Sequence, residues 1–337
     1  MTKYAIRHIT GGPTPMLTQE RSLAVFYEHP EWFKSLFSEL DQRGVKYDRL
    51  IAHEHRFDPM ERISRYALIV NRVSPSAFTR GHSQAIFYSL QYLAYLKEIG
   101  ANVLNGYDAY VYEFSKARQL SLFERLGIRH PRTRVINNPS QAPKAAEGLT
   151  FPVVTKPNIG GSGANITRFN TPKELEEAVV NGWIDLGVDQ TGLVQECLPA
   201  ESNSIVRVEV LNGGYLYAIR LFLTPGEFNL CPADYCRVPA TGELKGAKGL
   251  ADGVSGRGLP VERYDPPSEI INDTIRITKE ANIEVGGVEY LINQRDGQPY
   301  YYDVNALSNF VANAEKVIGF DPVPKFVDYL LFRADMI

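Results

Sequence analysis

The sequence predicts an α/β chain that passes into α+β in its second half. Three observations carry this. Apolar strand-like runs alternate with helix-spaced segments through the first 112 residues. Asn212-Gly213-Gly214 and Asp296-Gly297 each sit between two strand-like runs and mark hairpins later in the chain. Glycine and proline stops separate the helical segments throughout. A chain of 337 residues suits two or three domains. The pattern divides it into units at 1–112, 113–194 and 195–337.

Composition narrows the function classes. The chain is 44% hydrophobic, with 36 Lys plus Arg against 39 Asp plus Glu and a net charge of −3. That near balance argues against nucleic acid as a partner. No apolar run approaches the ~20 residues that span a bilayer, and the start lacks the apolar core of a signal peptide. Three cysteines, Cys197, Cys231 and Cys236, form a sparse, odd set that fits a reducing cytoplasm. Cys231 and Cys236 have no second metal-binding pair, and no histidine follows His130.

Taken in order, Tyr4–Ile9 reads as a strand and residues 30–43 as a helix stopped by Gly44. Tyr47–Ala52 and Arg65–Asn71 read as strands, the second running into Arg72, Ser74 and Pro75. A loop leaving the carboxyl end of such a strand is where open α/β sheets place ligand contacts. Ser83–Ile99 is an amphipathic helix and Ala101–Leu104 a strand. His53 and His55 share a strand face, but no third metal ligand is evident. Ser115 caps a helix that Gly127 ends, which puts Lys116 in its first turn. The helix dipole disfavours a lysine there, so a bound anion would explain it; an ordinary solvated lysine is the alternative. Residues 137–150 read as a connector, Pro172–Asn181 as a helix, Leu193–Leu198 as a strand and 269–284 as a helix. Residues 224–267 read as a long Gly- and Pro-rich loop, the kind that is functional or partly disordered.

Two stretches carry chemistry. In Phe151–Thr167, a short strand delivers Lys156 into Gly160, Gly161, Ser162 and Gly163. Exposed backbone N–H groups in such a turn can cradle phosphate oxygens beside a lysine. A flexible hairpin with a solvated lysine is the plain alternative. In Val285–Asn305, Asp303 and Asn305 point to one strand face. A two-residue turn at Asp296-Gly297 would pair Glu289 with Val304 and put it on the wrong face. A three-residue turn with Gly297 left-handed would pair Glu289 with Asp303. In the second case two carboxylates and an amide converge, an oxygen set suited to Mg²⁺.

These segments, in order, resemble the ATP-grasp family, in particular its branch similar to ribosomal-protein-S6 glutamate ligase and glutathione synthetase. The resemblance runs from about Tyr66 onward. It rests on NGYDAY, SKARQLSLFERLGIRHPRT, VVTKPNIGGSGANI, LVQECLPA, VRVEVLNGG and GVEYLI with DGQPYYYDVN. It implies an ATP-grasp fold: an N-terminal open α/β domain and two α+β subdomains that clasp ATP. Lys116 and Lys156 match the lysines that hold the ATP phosphates, and Gly160–Gly163 the lid over them. Gln195, Glu196 and Leu198 match the adenine hinge. Glu289, Asp303 and Asn305 match the Mg²⁺ ligands. Arg207 and Arg220 match arginines near the transferred phosphate.

The chain departs from the pattern in three places. The metal carboxylates read Glu then Asp, where the family more often has Asp then Glu. Ile205 stands where an acidic ribose contact is usual, which leaves Glu201 or Ser202 for that role. Leu307-Ser308-Asn309 replaces a Ser-Pro-Gly stretch in the acceptor pocket, so Ser308 and Asn309 are candidate substrate contacts. Arg72, Arg220 and Arg257 are the candidate clamps for a substrate carboxylate.

The implied reaction is ATP-dependent joining of a carboxylate to an amine, an amino acid or small peptide, through an acyl phosphate. Lys156, Arg207 and Arg220 act at the reacting centre in this reading. A homodimer is implied by the resemblance alone. A small-molecule kinase and a non-catalytic nucleotide-binding protein are the alternatives.

Overall fold

The computed structural model describes residues 22–161, 163–223 and 260–336. The strand expected at Tyr4–Ile9, Ser162, Cys231, Cys236, Arg257 and most of the 224–267 loop lie outside the described residues.

The N-terminal unit is a four-stranded parallel sheet in the order β2-β1-β3-β4. It comprises β1 (Leu23–Tyr27), β2 (Tyr47–Ile51), β3 (Leu68–Arg72) and β4 (Val103–Leu104), with α1 (Lys34–Gln42) and α2 (Ser83–Glu98) between them. β1 reads LAVFY and is buried along its whole length. Sequence reading passes over it because a five-residue run with no alternation resembles a piece of buried helix. β1 lies between β2 and β3, the central place in the pairing. The helix α3 (Tyr107–Glu113) follows Gly106 and is likewise absent from the sequence-level reading.

The middle unit opens with α4 (Lys116–Leu126), capped by Ser115 and closed by left-handed Gly127 as the sequence predicts. Its sheet runs β5-β8-β6-β7: β5 (Thr133–Ile136), β6 (Val153–Pro157), β7 (Thr167–Phe169) and β8 (Gly192–Glu196). The expected connector at 137–150 contains a short helix, α5 (Ala142–Ala146), and α6 (Pro172–Val180) follows β7. This unit has its own core around Val153, Phe169, Leu175 and Val194. The division drawn after residue 194 falls inside β8, whose last residues stay paired to β5 and β6.

The third sheet is antiparallel, β11-β10-β9-β12-β13. Its strands are β9 (Ser204–Leu211), β10 (Gly214–Phe222), β11 (Val261–Tyr264), β12 (Val285–Ile292) and β13 (Pro299–Asn305). β9 and β10 are joined through Asn212 and Gly213, both at positive φ (53° and 68°), the two-residue hairpin that the dipeptide signals. β11 is a correction to the loop expected over 224–267. Helices α7 (Ser268–Glu280), α8 (Ala314–Ile318) and α9 (Pro322–Arg333) complete the chain. Among the described residues, no helix is long and apolar enough to cross a membrane.

The first and third units share one core. Leu36, Phe37 and Leu40 of α1 pack with Phe326, Val327 and Leu330 of α9, and Leu23 and Val25 lie in the same cluster as Ile219 and Leu221. Asn105, in the left-handed region at φ 50°, fastens the joint. Its amide donates to the carbonyls of Val285 (2.6 Å) and Ala306 (2.5 Å), and its oxygen accepts from the Glu284 N–H (2.8 Å). All of this is buried, so truncation leaves two carbonyls without donors. Asn105→Ala should lower unfolding stability by about 2–4 kcal/mol in urea titration. A loss below about 1 kcal/mol would mean that water replaces the side chain.

Candidate active site

The three units meet at a buried charge cluster. The loop after β6 caps α4: Asn158 Oδ1 accepts from the Ala117 N–H (2.9 Å) and the Ser115 hydroxyl (3.1 Å). Lys116 is thereby aimed across to β13, where its Nζ meets Asp303 Oδ1 at 2.7 Å. The lysine at this helix start is thus not simply solvated but paired with a carboxylate of the chain itself. Burial alone would lower the Lys116 pKa, but the Asp303 carboxylate more than offsets it and holds the pKa above the ordinary lysine value.

The β12–β13 register decides which groups join. Glu289 pairs with Asp303, Gly287 with Asn305, and Arg207 of β9 with Glu289. This is the convergent one of the two registers, reached by a different device. Asn293 N–H bonds the Gln298 carbonyl (2.9 Å), leaving a four-residue loop, Gln294 to Gly297. A bulge at Tyr302 then restores the pairing of Glu289 with Asp303. Glu289, Asp303, Asn305 and Arg207 consequently share one face. Arg207 is held by Glu209 (Nε to Oε1, 2.6 Å) and reaches Glu289 (3.3 Å). Burial works against its charge, and the two carboxylates raise its pKa above the usual value.

Lys156 stands opposite, on β6, and is buried. Burial first, then the Lys116 charge, lowers its pKa to about 7, against the pull of Asp303 and Glu289. Burial and the Asp303 charge raise the Glu289 carboxyl to about 7. The same two causes raise Glu113 to about 7, although it accepts N–H bonds from Ala306 and Leu307. Lys116, Lys156, Arg207, Glu289 and Asp303 line a cavity of about 150 Å³. Gly160, Gly161 and Gly163 roof it. A Cβ on Gly161 would come within 2.6 Å of the Ser76 Cβ, so the glycine loop rests on the N-terminal unit. Ser76 is bonded to Ser74 (2.8 Å) and lies 3.4 Å from Arg80, which grips the buried Glu28.

Residues 114–231 match the family profile of the RimK-like ATP-grasp domain. A probable alpha-L-glutamate ligase 1 of Shewanella amazonensis is 29% identical over 147 residues, 43% of this chain and 48% of that protein. The chain spans about half the length of the curated relatives it matches. Among solved structures, the ATP-grasp ligase PsnB, complexed with a phosphomimetic variant of its minimal precursor, Mg and ADP, superposes with a TM-score of 0.64 at 18% identity. That alignment covers 94% of this chain and 99% of PsnB. The D-cycloserine synthetase DcsG also gives a TM-score of 0.64, at 15% identity over 93% and 100% of the two chains. These likenesses establish the ATP-grasp fold.

Within that fold, the residues singled out in the sequence separate into groups. Lys116, Lys156, Gly160, Gly161, Gly163 and Arg207 come together with Glu289, Asp303, Asn305 and Asn309 around the cavity. Arg220 does not join them. It pairs with Val206, one residue out of phase with Arg207, and so lies on the opposite sheet face. There it meets Glu262 (3.4 Å) and the Tyr264 ring (4.2 Å). Gln195 shares a sheet face with Lys156 through its pairing with Val154. Its side chain bonds Thr133 (2.8 Å), while Glu196 accepts from the Thr150 N–H (2.8 Å). None of Gln195, Glu196, Leu198 and Glu201 lines the cavity. Arg72 and Ser308 lie behind it, in a second pocket.

Sequence reading missed Glu113 and Asn158, whose partners are distant in the chain, and Glu209, which bonds Arg207 two residues away on the same strand face. The structure also separates His53 from His55, which bonds Tyr88 (2.9 Å). His53 instead stacks on His82 (3.8 Å between ring centroids), and His82 contacts Glu28 (2.6 Å). Arg80 occupies both Glu28 oxygens, so this trio is an ion-pair network beneath Ser76.

The donor set fits a magnesium ion. Glu289 and Asp303 are two carboxylates held together in a buried place, the setting that calls for a cation, and Asn305 adds an amide beside them (Nδ2 to Glu289 Oε1, 3.5 Å). Gly287 leaves the room for this packing. A Cβ there would sit 2.9 Å from Arg207 Nε and 3.0 Å from the Glu209 carboxyl carbon. Gly287→Ala should therefore cost about 1–3 kcal/mol of stability, read as a lower urea midpoint. Wild-type stability in that variant would show that the Arg207–Glu209 pair moves freely.

Proposed function

We propose that the protein is an ATP-dependent carboxylate–amine ligase that works through an acyl phosphate, with an amino acid or small peptide among its substrates. The observation that carries this is the convergence of Lys116, Lys156, Arg207, Glu289, Asp303 and Asn305 under a glycine loop within an ATP-grasp fold. Phosphoryl transfer asks a protein mainly for alignment and charge neutralisation. Lys116 and Lys156 hold phosphate oxygens, and Arg207 stabilises the transferred group and the acyl phosphate. Glu289, Asp303 and Asn305 would hold magnesium, which would neutralise phosphate charge. Gly160, Gly161 and Gly163 keep water from the acyl phosphate. Ligand pockets usually measure roughly 300–1,000 Å³. The cavity holds about 150 Å³, so nucleotide entry requires the glycine loop to lift from Ser76.

Hydroxylamine tests the reaction class. Wild-type protein with Mg·ATP and its carboxylate substrate should form a hydroxamate and release ADP, and Asp303→Ala should reduce both by about 100-fold or more. ADP release without hydroxamate from any carboxylate would point to a hydroxyl kinase instead. Lys156 gives a second test. With its pKa near 7, it is largely neutral at pH 8.5 in the free protein. A bound triphosphate raises that pKa, so ATP binding takes up a proton. Calorimetry at pH 8.5 in buffers of different ionisation enthalpy should show this uptake, falling toward zero at pH 6. Identical heats in all buffers would count against a phosphate role for Lys156.

A further inference from the structure

Arg72 is 2% exposed at the carboxyl end of β3. Its Nη2 donates to the Ser308 carbonyl, while Nε and Nη1 are buried with no hydrogen-bond partner. The guanidinium lies 5.2 Å from the Phe326 ring centroid and 5.6 Å from that of Phe33. Burial lowers its pKa to about 10, with Glu113 and Glu209 pulling the other way from a distance. A buried cation without an anion is costly, and a guanidinium with N–H groups left unused at Nε and Nη1 can still donate to a carboxylate. Arg72 borders a pocket of about 420 Å³ between the start of α1 and the loop after β13. Asn309, on that same loop, has a buried side-chain oxygen with no partner. Trp32, Asn309 and Phe310 line both this pocket and the phosphate cavity, so the two spaces adjoin.

We propose that this pocket binds the non-reacting end of an amino-acid substrate, its carboxylate on Arg72 and its ammonium group on the Asn309 side-chain oxygen. The inference rests on the ligase reading and deepens it. The adjoining spaces let a substrate anchored at Arg72 extend its reacting group past Trp32 and Phe310 to the magnesium ligands. The pocket lining carries Glu31, Glu315 and Asp321 together with Lys34 and Lys316, a rim of mixed charge that suits a zwitterion better than a bare anion.

The test is thermal-shift and calorimetric titration of the full-length protein with the twenty L-amino acids, their carboxamides, and inorganic sulfate at matched ionic strength. Each titration is run with and without Mg and a non-hydrolysable ATP analogue. At least one amino acid should bind, its carboxamide should not, and sulfate should give no comparable shift. Arg72→Gln should weaken amino-acid binding by about 10- to 100-fold and leave binding of the ATP analogue unchanged. That unchanged binding also shows that the variant is folded. Arg72→Lys should retain part of the affinity. Binding of no amino acid, equal binding of the carboxamide, or wild-type affinity in Arg72→Gln would overturn the proposal. A stabilisation by sulfate as large as that by the amino acid would make Arg72 a simple anion site and overturn it too. Arg72-dependent binding with no ADP release would sink the ligase reading and keep the pocket. ADP release whose amino-acid KM is unchanged in Arg72→Gln would keep the ligase and sink the pocket.

Discussion

Lys116 and Asp303 meet at 2.7 Å across 187 residues of chain, and much of the site depends on that ion pair. Lys116 begins α4 and Asp303 lies near the end of β13, so their contact joins the start of the middle unit to the β12–β13 hairpin. Neither charge would be buried alone, since desolvation would neutralise an isolated ion. Here the buried Lys156, Arg207, Glu209 and Glu289 adjoin the half-buried Lys116, Glu113 and Asp303. The groups left over-compensated, Glu289 and Glu113, and the one left under-compensated, Lys156, are those whose pKa values move toward neutrality. A cation at the carboxylates and phosphates at the lysines would relieve both at once.

The scaffold holds this charge by making its neighbours buried and polar in a controlled way. Asn158 ties the end of β6 to the start of α4, and Asn105 ties β4 to the start of β12 and the end of β13. Both asparagines satisfy backbone groups that no strand or helix partner reaches. The glycine loop is treated differently. Gly161 rests on Ser76, and neither Gly160 nor Gly161 is paired in a strand. Arg72 is the exception to the rule of paired charge, which is why it carries the substrate proposal.

Much of the architecture was legible in the sequence where periodicity and punctuation agree. Helices Lys116–Leu126 and Pro172–Val180 and the Asn212-Gly213 hairpin have their caps, stops and turn residues written locally. What was not legible lacked a local signal. β1 is a buried five-residue run without alternation, and Tyr107–Glu113 is too short to show a helical period. Arg220 was placed at the reacting centre on sequence likeness, but strand phase turns it to the far face, against Glu262 and Tyr264.

The sequence by itself determined the chemical inventory: the lysine at a helix start, the lysine before a glycine loop, and two carboxylates and an amide on one hairpin. These follow from residue type and spacing, which act over a few residues. It left the hairpin register open, because a two- and a three-residue turn were equally consistent with Asp296-Gly297. The tertiary structure decided that register with a four-residue loop and a bulge at Tyr302. It also decided which anion meets Lys116, that Glu113 joins the site, and that Arg72 faces a separate pocket. Each of these depends on contacts between residues far apart in the chain, fixed by packing three sheets together and invisible to local pattern.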